Sequence, residues 1–183
     1  MAIVFALENV YHPITEDLIR NLAGILTAEM NGGGSTFRDT DTHAIPSMGF
    51  EPYTVSSPAA IPGLMRELCV YLADTNTHPL LKAAVAHAWF MVVRPFNEGN
   101  ERLARLIAYM ILLKAQYMFF NEVSLSALIA QDGYEYYGAV ANLLREENGD
   151  DWTYLVDYYI TLLGKAIDEI HQRRVDRDAE MGR

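Results

Sequence analysis

Two long apolar segments on either side of a short loop constrain this fold more than any other feature of the sequence. Residues 80–93 and 103–120 are apolar over most of their length, and between them lies Pro95-Phe96-Asn97-Glu98-Gly99-Asn100. Proline and glycine interrupt helices, so this short stretch is a loop. A helix that is apolar on nearly every side lies in the interior of a protein. The sequence therefore predicts two central, buried helices joined by a tight connection.

The loop also carries residues that suit a phosphate. It brings Gly99 and Asn100 to the start of a helix, where the first backbone N–H groups have no partner within the helix and can bind an anion. Arg102 and Arg105 are three residues apart in the first turn and so project toward the same region. Glu98 offers a hard oxygen ligand of the kind that Mg²⁺ prefers. These residues predict a phosphate or nucleotide site.

The remaining segments predict a mainly α fold. Helical spacing of apolar residues recurs along the chain, whereas residues 36–57 show no helical period and read as extended structure or a hairpin. Residues 2–10 fit either a helix or a strand. We expect a single domain over residues 1–170 and a charged, solvated or frayed tail over residues 171–183.

Composition excludes several classes of protein. The chain has 183 residues, of which 51% are hydrophobic and 21% charged, so it has enough apolar residues for a buried core. A formal net charge of −10 argues against a nucleic-acid-binding protein, which would present a basic face. No segment is long enough to span a membrane, and the N-terminus does not resemble a signal peptide. With Cys69 as the single cysteine, we expect a cytoplasmic protein without disulfides.

The loop and the start of the second helix resemble the signature of the Fic/Doc (Fido) family, which reads His-x-Phe-x-(Asp/Glu)-Gly-Asn-Gly-Arg-x-x-Arg. Six residues stand on its positions: Phe96, Glu98, Gly99, Asn100, Arg102 and Arg105. Residues 36–57 are similar in place to the family's flap hairpin, and Tyr136-Tyr137 resembles a recurrent tyrosine pair. The resemblance covers most of residues 1–165 and implies a compact Fic-type helical bundle with a short β-hairpin flap.

The resemblance also implies an activity and its parts. Fic proteins typically transfer AMP, or another phosphate-containing group, from a nucleotide to a protein hydroxyl. It implies that ATP or another nucleotide binds at Phe96, Gly99, Asn100, Arg102 and Arg105, with Arg105 at the terminal phosphate and Mg²⁺ on Glu98. The flap would hold a protein target by adding a strand to its edge, or a small phosphate-containing ligand would bind nearby. A homodimer is left open.

The N-terminus resembles a second feature of the family. Some members carry an inhibitory helix with the pattern (Ser/Thr)-x-x-x-Glu-(Gly/Asn), and Glu8-Asn9 matches its end, with Val4 at the Ser/Thr position. The resemblance implies that residues 1–12 form an inhibitory segment in which Glu8 reaches Arg105. The alternative is that Glu8 is an exposed acid near a helix end.

Arg94 departs from the signature at the position of the catalytic histidine. In the family this histidine is the general base that takes the proton of the target hydroxyl. An arginine cannot do so, because its pKa is above about 12 and its side chain only donates hydrogen bonds. General-base catalysis contributes roughly 10²–10⁴-fold. We therefore expect AMP transfer to be nearly abolished.

Glu101 departs from the signature at its second glycine. A carboxylate there adds bulk and a negative charge beside the anion site, so it should repel a triphosphate. Doc-type members replace the same glycine with lysine and differ in which phosphate is transferred, so the change is also compatible with altered chemistry. An acid in a first helical turn complements the helix dipole. We expect Glu101 to pair with Arg94 or Arg105.

Two histidines are candidates for a replacement base. His87 lies two turns before Arg94 within an apolar run, which favours a core position, and His43 lies in the presumed flap, where a loop histidine is the simpler interpretation.

Three functions stay open: a degenerate Fic domain that binds or regulates a partner, a divergent Fic-fold enzyme using another donor or substrate, and an AMP transferase inactivated by substitution.

Overall fold

A computed structural model describes residues 1–30, 33–44, 49, 53–117, 124–143 and 151–181. Helices and two short strands make up the ordered elements of these residues. The helices are α1 (Ala2–Glu8), α2 (Glu16–Leu26), α3 (Ile61–Ala73), α4 (Pro79–Val93), α5 (Asn100–Lys114), α6 (Leu125–Gln131), α7 (Gly133–Leu143) and α8 (Thr153–Met181), and the strands are β1 (His43–Ala44) and β2 (Tyr53–Thr54). A 3₁₀ turn, Pro58–Ala60, precedes α3. The predicted mainly α class is confirmed.

The two apolar segments form the centre of the bundle. Helices α4 and α5 pack more extensively against each other than any other pair within the described residues, α8 packs on α4, and α2 packs on α5. Helix α4 buries four alanines, Ala83, Ala84, Ala86 and Ala88, and α5 buries Ala104 and Ala108. Side chains this small let two helix backbones approach closely. The predicted pair of central helices is thereby confirmed.

Several helix starts follow from capping residues. The Thr15 hydroxyl accepts a hydrogen bond from the Leu18 N–H at 3.3 Å, and the Ser124 hydroxyl accepts one from Ala127 N–H at 3.3 Å. His78 caps α4, whose first residue is Pro79, a position that needs no N–H partner. Residues 2–8, left open between helix and strand, form a helix.

Two helix ends differ from the sequence-based expectation. Helix α5 ends at Lys114 instead of continuing to residue 120, because Gln116 adopts a left-handed conformation with φ +68°, which a helix cannot include. Residues 118–120 lie outside the described residues. Helix α8 continues through residues 171–181, and every one of these residues is exposed, so the charged tail is solvated as expected but helical rather than frayed.

The predicted flap is a short antiparallel pair of strands. His43 pairs with Thr54 and Ala44 with Tyr53, so β1 and β2 contribute two residues each. Much of the predicted hairpin, residues 45–48 and 50–52, lies outside the described residues. Among the helices of the described ranges, none combines the length and apolarity needed to cross a bilayer.

Candidate functional site

The loop between α4 and α5 begins at an unusual backbone conformation. Arg94 ends α4 with φ +43° and ψ +65°, and its N–H donates to the Phe90 carbonyl at 3.1 Å. This left-handed region favours glycine, and a residue with a Cβ pays about 1–2 kcal/mol to enter it. The turn changes the direction of the chain within one residue and points the following loop toward the start of α5.

Asn100 closes the loop from inside. Its Oδ1 accepts the N–H of Phe96 at 3.0 Å, and its Nδ2 donates to the Phe96 carbonyl at 2.7 Å. Asn100 is 1% exposed and Phe96 is 3% exposed, with the Phe96 ring 5.4 Å from that of Phe37. The side chains of both residues therefore shape the loop from within, and their expected role in nucleotide binding stays a prediction. The backbone N–H of Asn100 still belongs to the first turn of α5.

Gly99 caps the start of α5 in a conformation that suits only glycine. Its φ is +79°, and a Cβ placed on it would lie 2.5 Å from Cγ2 of Thr27. Thr27 is held in place by its hydroxyl, which donates to the Ala23 carbonyl at 2.7 Å and accepts from the Gly34 N–H at 2.9 Å. Glycine has no side chain that could cap the helix, so the first backbone N–H groups of α5 can still bind an anion.

The two departures from the signature face each other across the loop. Nη1 of Arg94 lies 3.5 Å from Oε1 of Glu101, with side chains 22% and 33% exposed. Of the two partners expected for Glu101, Arg94 and Arg105, the structure shows Arg94. Tyr53 of the flap lies beside this pair, and its hydroxyl donates to the Met91 carbonyl at 3.3 Å. Burial raises the pKa of Tyr53 to about 12, against the smaller opposing effect of the charge and hydrogen bonding of Arg94.

The two arginines of α5 occupy different environments. Arg102 is exposed, and its Nη1 lies 3.7 Å from the Met30 sulfur. Arg105 is partly buried, and within the described residues its guanidinium has no hydrogen bond or ion pair; its charge acts on His87, Tyr136 and Tyr159. Arg105 is thus the better placed of the two to meet an anion at the start of α5.

Glu98 is exposed on the loop, before the N-cap of α5. In the described part of the chain, no group of three or more His, Cys, Asp or Glu residues is arranged to hold a metal ion. Mg²⁺ commonly binds through one or two carboxylates together with the phosphates of a substrate. Glu98 fits that arrangement, in which the ion arrives with a nucleotide.

Glu8 is exposed at the last residue of α1. Helix α1 packs against α2 and α5, so the predicted inhibitory segment does lie against the helix that carries Arg105. Within the described residues, however, no ion pair joins Glu8 to Arg105. The inhibitory role of Glu8 stays a prediction.

His87 is a core residue, as its apolar surroundings in the sequence indicated. It is fully buried, its Nε2 lies 2.9 Å from the Tyr136 hydroxyl, and its ring stacks on Tyr159 at 4.4 Å between centroids. Burial, with a smaller effect of the positive charge of Arg105, lowers the pKa of His87 to about 3. A group sealed in this way cannot reach a substrate hydroxyl. His43 is exposed in β1.

Three residues that help to build the site were not identified from the sequence. They are Thr27, which approaches Gly99, Tyr53, which lies beside Arg94, and Arg38, whose buried guanidinium donates to the Arg94 carbonyl at 2.8 Å. Arg38 offered one signal, because it is a lone basic residue between Phe37 and a polar, threonine-rich stretch. Thr27 and Tyr53 offered none, since their importance depends on contacts between segments far apart in the chain.

Comparison with known proteins finds similarity in sequence and in fold. A family model described as the Fic/DOC family matches residues 13–112. Protein adenylyltransferase fic-1 of Caenorhabditis elegans is 32% identical to the chain over 66 residues, which make up 34% of this chain and 13% of that protein. The matched segment is thus a small part of that relative.

Solved structures share the fold. A Fic family protein from Desulfovibrio desulfuricans aligns over 92% of this chain and 51% of its own, with a TM-score of 0.80 and 20% identity. Fic-1 (residues 134–508) of C. elegans aligns over 98% of this chain and 51% of its own, with a TM-score of 0.69 and 19% identity. The chain spans about half the length of these solved chains.

Proposed function

The chain belongs to the Fic/DOC family, and we propose that it binds the phosphates of a nucleotide at the start of α5, in a binding or regulatory role, without ordinary protein AMP transfer. The observation that carries this proposal is the ion pair between Arg94 and Glu101, because it replaces a proton acceptor with a cation that is already engaged. The proposal separates two properties of the family: the anion site is kept, and the group that accepts a proton is lost.

Loss of transfer follows from the chemistry of position 94. A guanidinium donates hydrogen bonds and cannot accept a proton, and that of Arg94 lies 3.5 Å from the carboxylate of Glu101. His87, the nearest histidine along α4, is buried and hydrogen-bonded to Tyr136, so it does not substitute as a base. In the absence of a general base, the expected loss is roughly 10²–10⁴-fold.

Retention of the anion site rests on parts that do not depend on position 94. Gly99 keeps the left-handed conformation that starts α5, Asn100 keeps the loop closed, and Arg105 stands one turn further with an unpaired guanidinium within the described residues. Glu98 would hold the Mg²⁺ that accompanies ATP or another nucleotide. Once Glu101 moved aside, Arg94 would add a further cation beside the phosphates.

The partner we propose is a protein segment that adds a strand to the flap, or a small phosphate-containing ligand near it. Within the described residues β1 and β2 form a two-stranded sheet, so each strand has one edge at which an added strand could bond to the backbone. Because Cys69 is a free thiol, we propose a reducing compartment, the cytoplasm.

A divergent enzyme is the second candidate. The side chains of Arg94 and Glu101 remain 22% and 33% exposed, so both are accessible to a ligand that enters the site. In that role they would bind a different phosphate-containing donor or leaving group.

Incubation with ATP and other nucleotides in the presence of Mg²⁺ tests the proposal. Thermal shift should show stabilisation, while mass spectrometry of the protein should show no modification and chromatography no nucleotide turnover. A modified product or turnover from the unaltered chain would overturn the proposed loss of transfer and support the divergent enzyme.

A gain-of-function variant tests the assignment of the two departures. The changes Arg94→His and Glu101→Gly, combined with Glu8→Gly to remove the predicted inhibition, should produce self- or target-modification with labelled ATP. Omitting Arg94→His from the set provides the matched control and should leave transfer absent. If the triple variant bound no nucleotide at all, the interpretation of the loop as an anion site would be wrong.

A further inference from the structure

Arg38 joins the flap to the end of α4 through a single buried guanidinium. Arg38 is 3% exposed, and its Nε donates to the Arg94 carbonyl at 2.8 Å while Nη2 donates to the Val93 carbonyl at 3.2 Å. Nη1 donates to the Thr40 carbonyl at 2.9 Å, and Nη2 also donates to the Ser56 carbonyl. One side chain thus binds both sides of the flap and the last carbonyls of α4.

The arrangement is specific because, among the residues that the structure describes, each hydrogen-bond partner of the Arg38 guanidinium is a backbone carbonyl. Burial lowers the pKa of Arg38, and the negative charge of Asp41 and the positive charge of Arg94 have smaller, opposite effects on it. The carbonyls at a helix C-terminus carry partial negative charge and lack partners within the helix. A planar guanidinium with five donors can satisfy several of them at once, which a lysine ammonium cannot do in the same plane.

The backbone reinforces the same connection. The N–H of Arg38 donates to the Pro95 carbonyl at 2.9 Å, and the N–H of Ser56 reaches the Val92 carbonyl at 3.5 Å. The flap is therefore attached to consecutive residues of the turn at which Arg94 takes its left-handed conformation.

We infer that Arg38 is a positioning residue that holds the flap and the backbone of position 94 in one register. Movement of the flap would then be transmitted to the peptide of position 94, and so to the direction in which its side chain points. The inference concerns the backbone, so it applies whichever residue stands at position 94, and it goes beyond the proposed nucleotide binding.

Amide hydrogen exchange of the full chain, followed by NMR, tests this coupling. In Arg38→Met, the amides of Ser56, Arg94 and Phe96 should exchange at least 10-fold faster, because all three lie at the connection. Amides in the middle of α8 should be unchanged. Uniformly faster exchange would show a merely structural role, and faster exchange at Ser56 alone would show that flap and loop are not coupled; either result would overturn the inference.

Two further variants separate charge from geometry. Arg38→Lys keeps the charge, and we expect its amides to exchange as fast as those of Arg38→Met. Full rescue by lysine would show that the planar hydrogen-bonding geometry of the guanidinium is not needed, and would overturn the inference. Arg20→Met is the matched control. The Arg20 guanidinium lies 3.6 Å above the ring of Phe37, the residue that precedes Arg38, and it does not bond to position 94 in the described residues. It should leave the exchange of Arg94 and Phe96 unchanged.

A kinetic readout adds to the exchange data. In the background Glu8→Gly, Arg94→His, Glu101→Gly, the change Arg38→Met should lower kcat for modification at least 10-fold and leave KM for the nucleotide within about 3-fold, since the start of α5 is untouched. An equal effect on both constants would contradict a positioning role. If the background itself is inactive, the proposed function fails there, and the exchange experiment still decides the role of Arg38.

Discussion

The guanidinium of Arg94 and the carboxylate of Glu101 lie 3.5 Å apart, one at the end of α4 and the other in the first turn of α5. Each residue is a departure from the Fic signature, and together they form an ion pair beside the start of α5, where we propose an anion site. A partly exposed pair of this kind contributes only about 0–1 kcal/mol to folding. Its main consequence is therefore for the proposed site, where the pair engages the Arg94 guanidinium and adds the negative charge of Glu101 next to it.

Removal of the Glu101 charge should strengthen nucleotide binding. We expect Glu101→Gln to lower the Kd for ATP with Mg²⁺ by roughly 10-fold, equivalent to about 1.4 kcal/mol, because it removes repulsion and releases Arg94. Isothermal titration calorimetry measures the change. Glu98→Gln is the matched control, with the same change of charge three residues away, and should weaken binding in Mg²⁺. Equal strengthening in both variants would indicate a general effect of net charge.

Arg102 and Arg105, the two arginines of α5, should contribute unequally to nucleotide binding. Arg105→Met should weaken ATP binding by about 10- to 100-fold, the loss expected for a charge-assisted hydrogen bond to phosphate. Arg102→Met should have a smaller effect, because Arg102 is exposed and lies over Met30. Arg66→Met, on the exposed face of α3, controls for the loss of one positive charge. Equal losses for all three arginines would contradict a local site at α5.

A side chain at position 99 should destabilise the protein, in part because it would collide with the methyl group of Thr27. We expect Gly99→Ala to lower the free energy of unfolding by about 2–4 kcal/mol, from the left-handed backbone and from the contact with Thr27 Cγ2. Thr27→Ser removes that methyl group and keeps the hydroxyl, so the double variant should recover part of the loss. Denaturant unfolding of the double-mutant cycle measures the coupling.

Gly164→Ala serves as the control for this cycle. Gly164 lies within α8, where a Cβ would meet no atom within 4 Å, so alanine should stabilise the protein by about 0.5–1 kcal/mol. Additive effects of Gly99→Ala and Thr27→Ser would show that the contact with Thr27 does not limit position 99.

His87 should make the protein less stable in acid. Its pKa is about 3 in the folded chain and about 6.5 in the unfolded chain, so between these values only the unfolded state takes up the proton. The free energy of unfolding is therefore highest above pH 6.5 and falls as the pH is lowered. His87 accounts for a decrease of about 2 kcal/mol between pH 6.5 and 5. Unfolding curves measured across this range should show a weaker pH dependence for His87→Gln. His171→Gln, an exposed site, should retain the dependence of the unaltered chain.

The central helices and the loop between them were predictable because local pattern decides them. An apolar run bounded by Pro79 and by the breaker-rich loop has one stable outcome, a buried helix. The ion pair of Glu101 was predictable only in part, since the sequence left both Arg94 and Arg105 open as its partner and the packing of the loop decided for Arg94. The end of α5 was not, because the left-handed conformation of Gln116 depends on packing that the apolar run does not reveal.

The inward direction of Asn100 and Phe96 shows a second limit. Both residues stand on a signature that implies nucleotide binding, yet each is buried and bonded to the other. A motif records which residue types occur together and does not distinguish a residue that touches the ligand from one that shapes the loop.

The sequence by itself determined the helical class, the residue types at the start of α5 from which an anion site is proposed, and the absence of a base at position 94. These depend on residue types and short spacings, which act locally. Only the tertiary structure decided that Arg38 joins the flap to Arg94, that Thr27 excludes a side chain at Gly99, and that His87 is sealed against Tyr136 and Tyr159. The physical reason is that each contact brings together segments far apart in the chain, and their approach is set by the packing of the whole core.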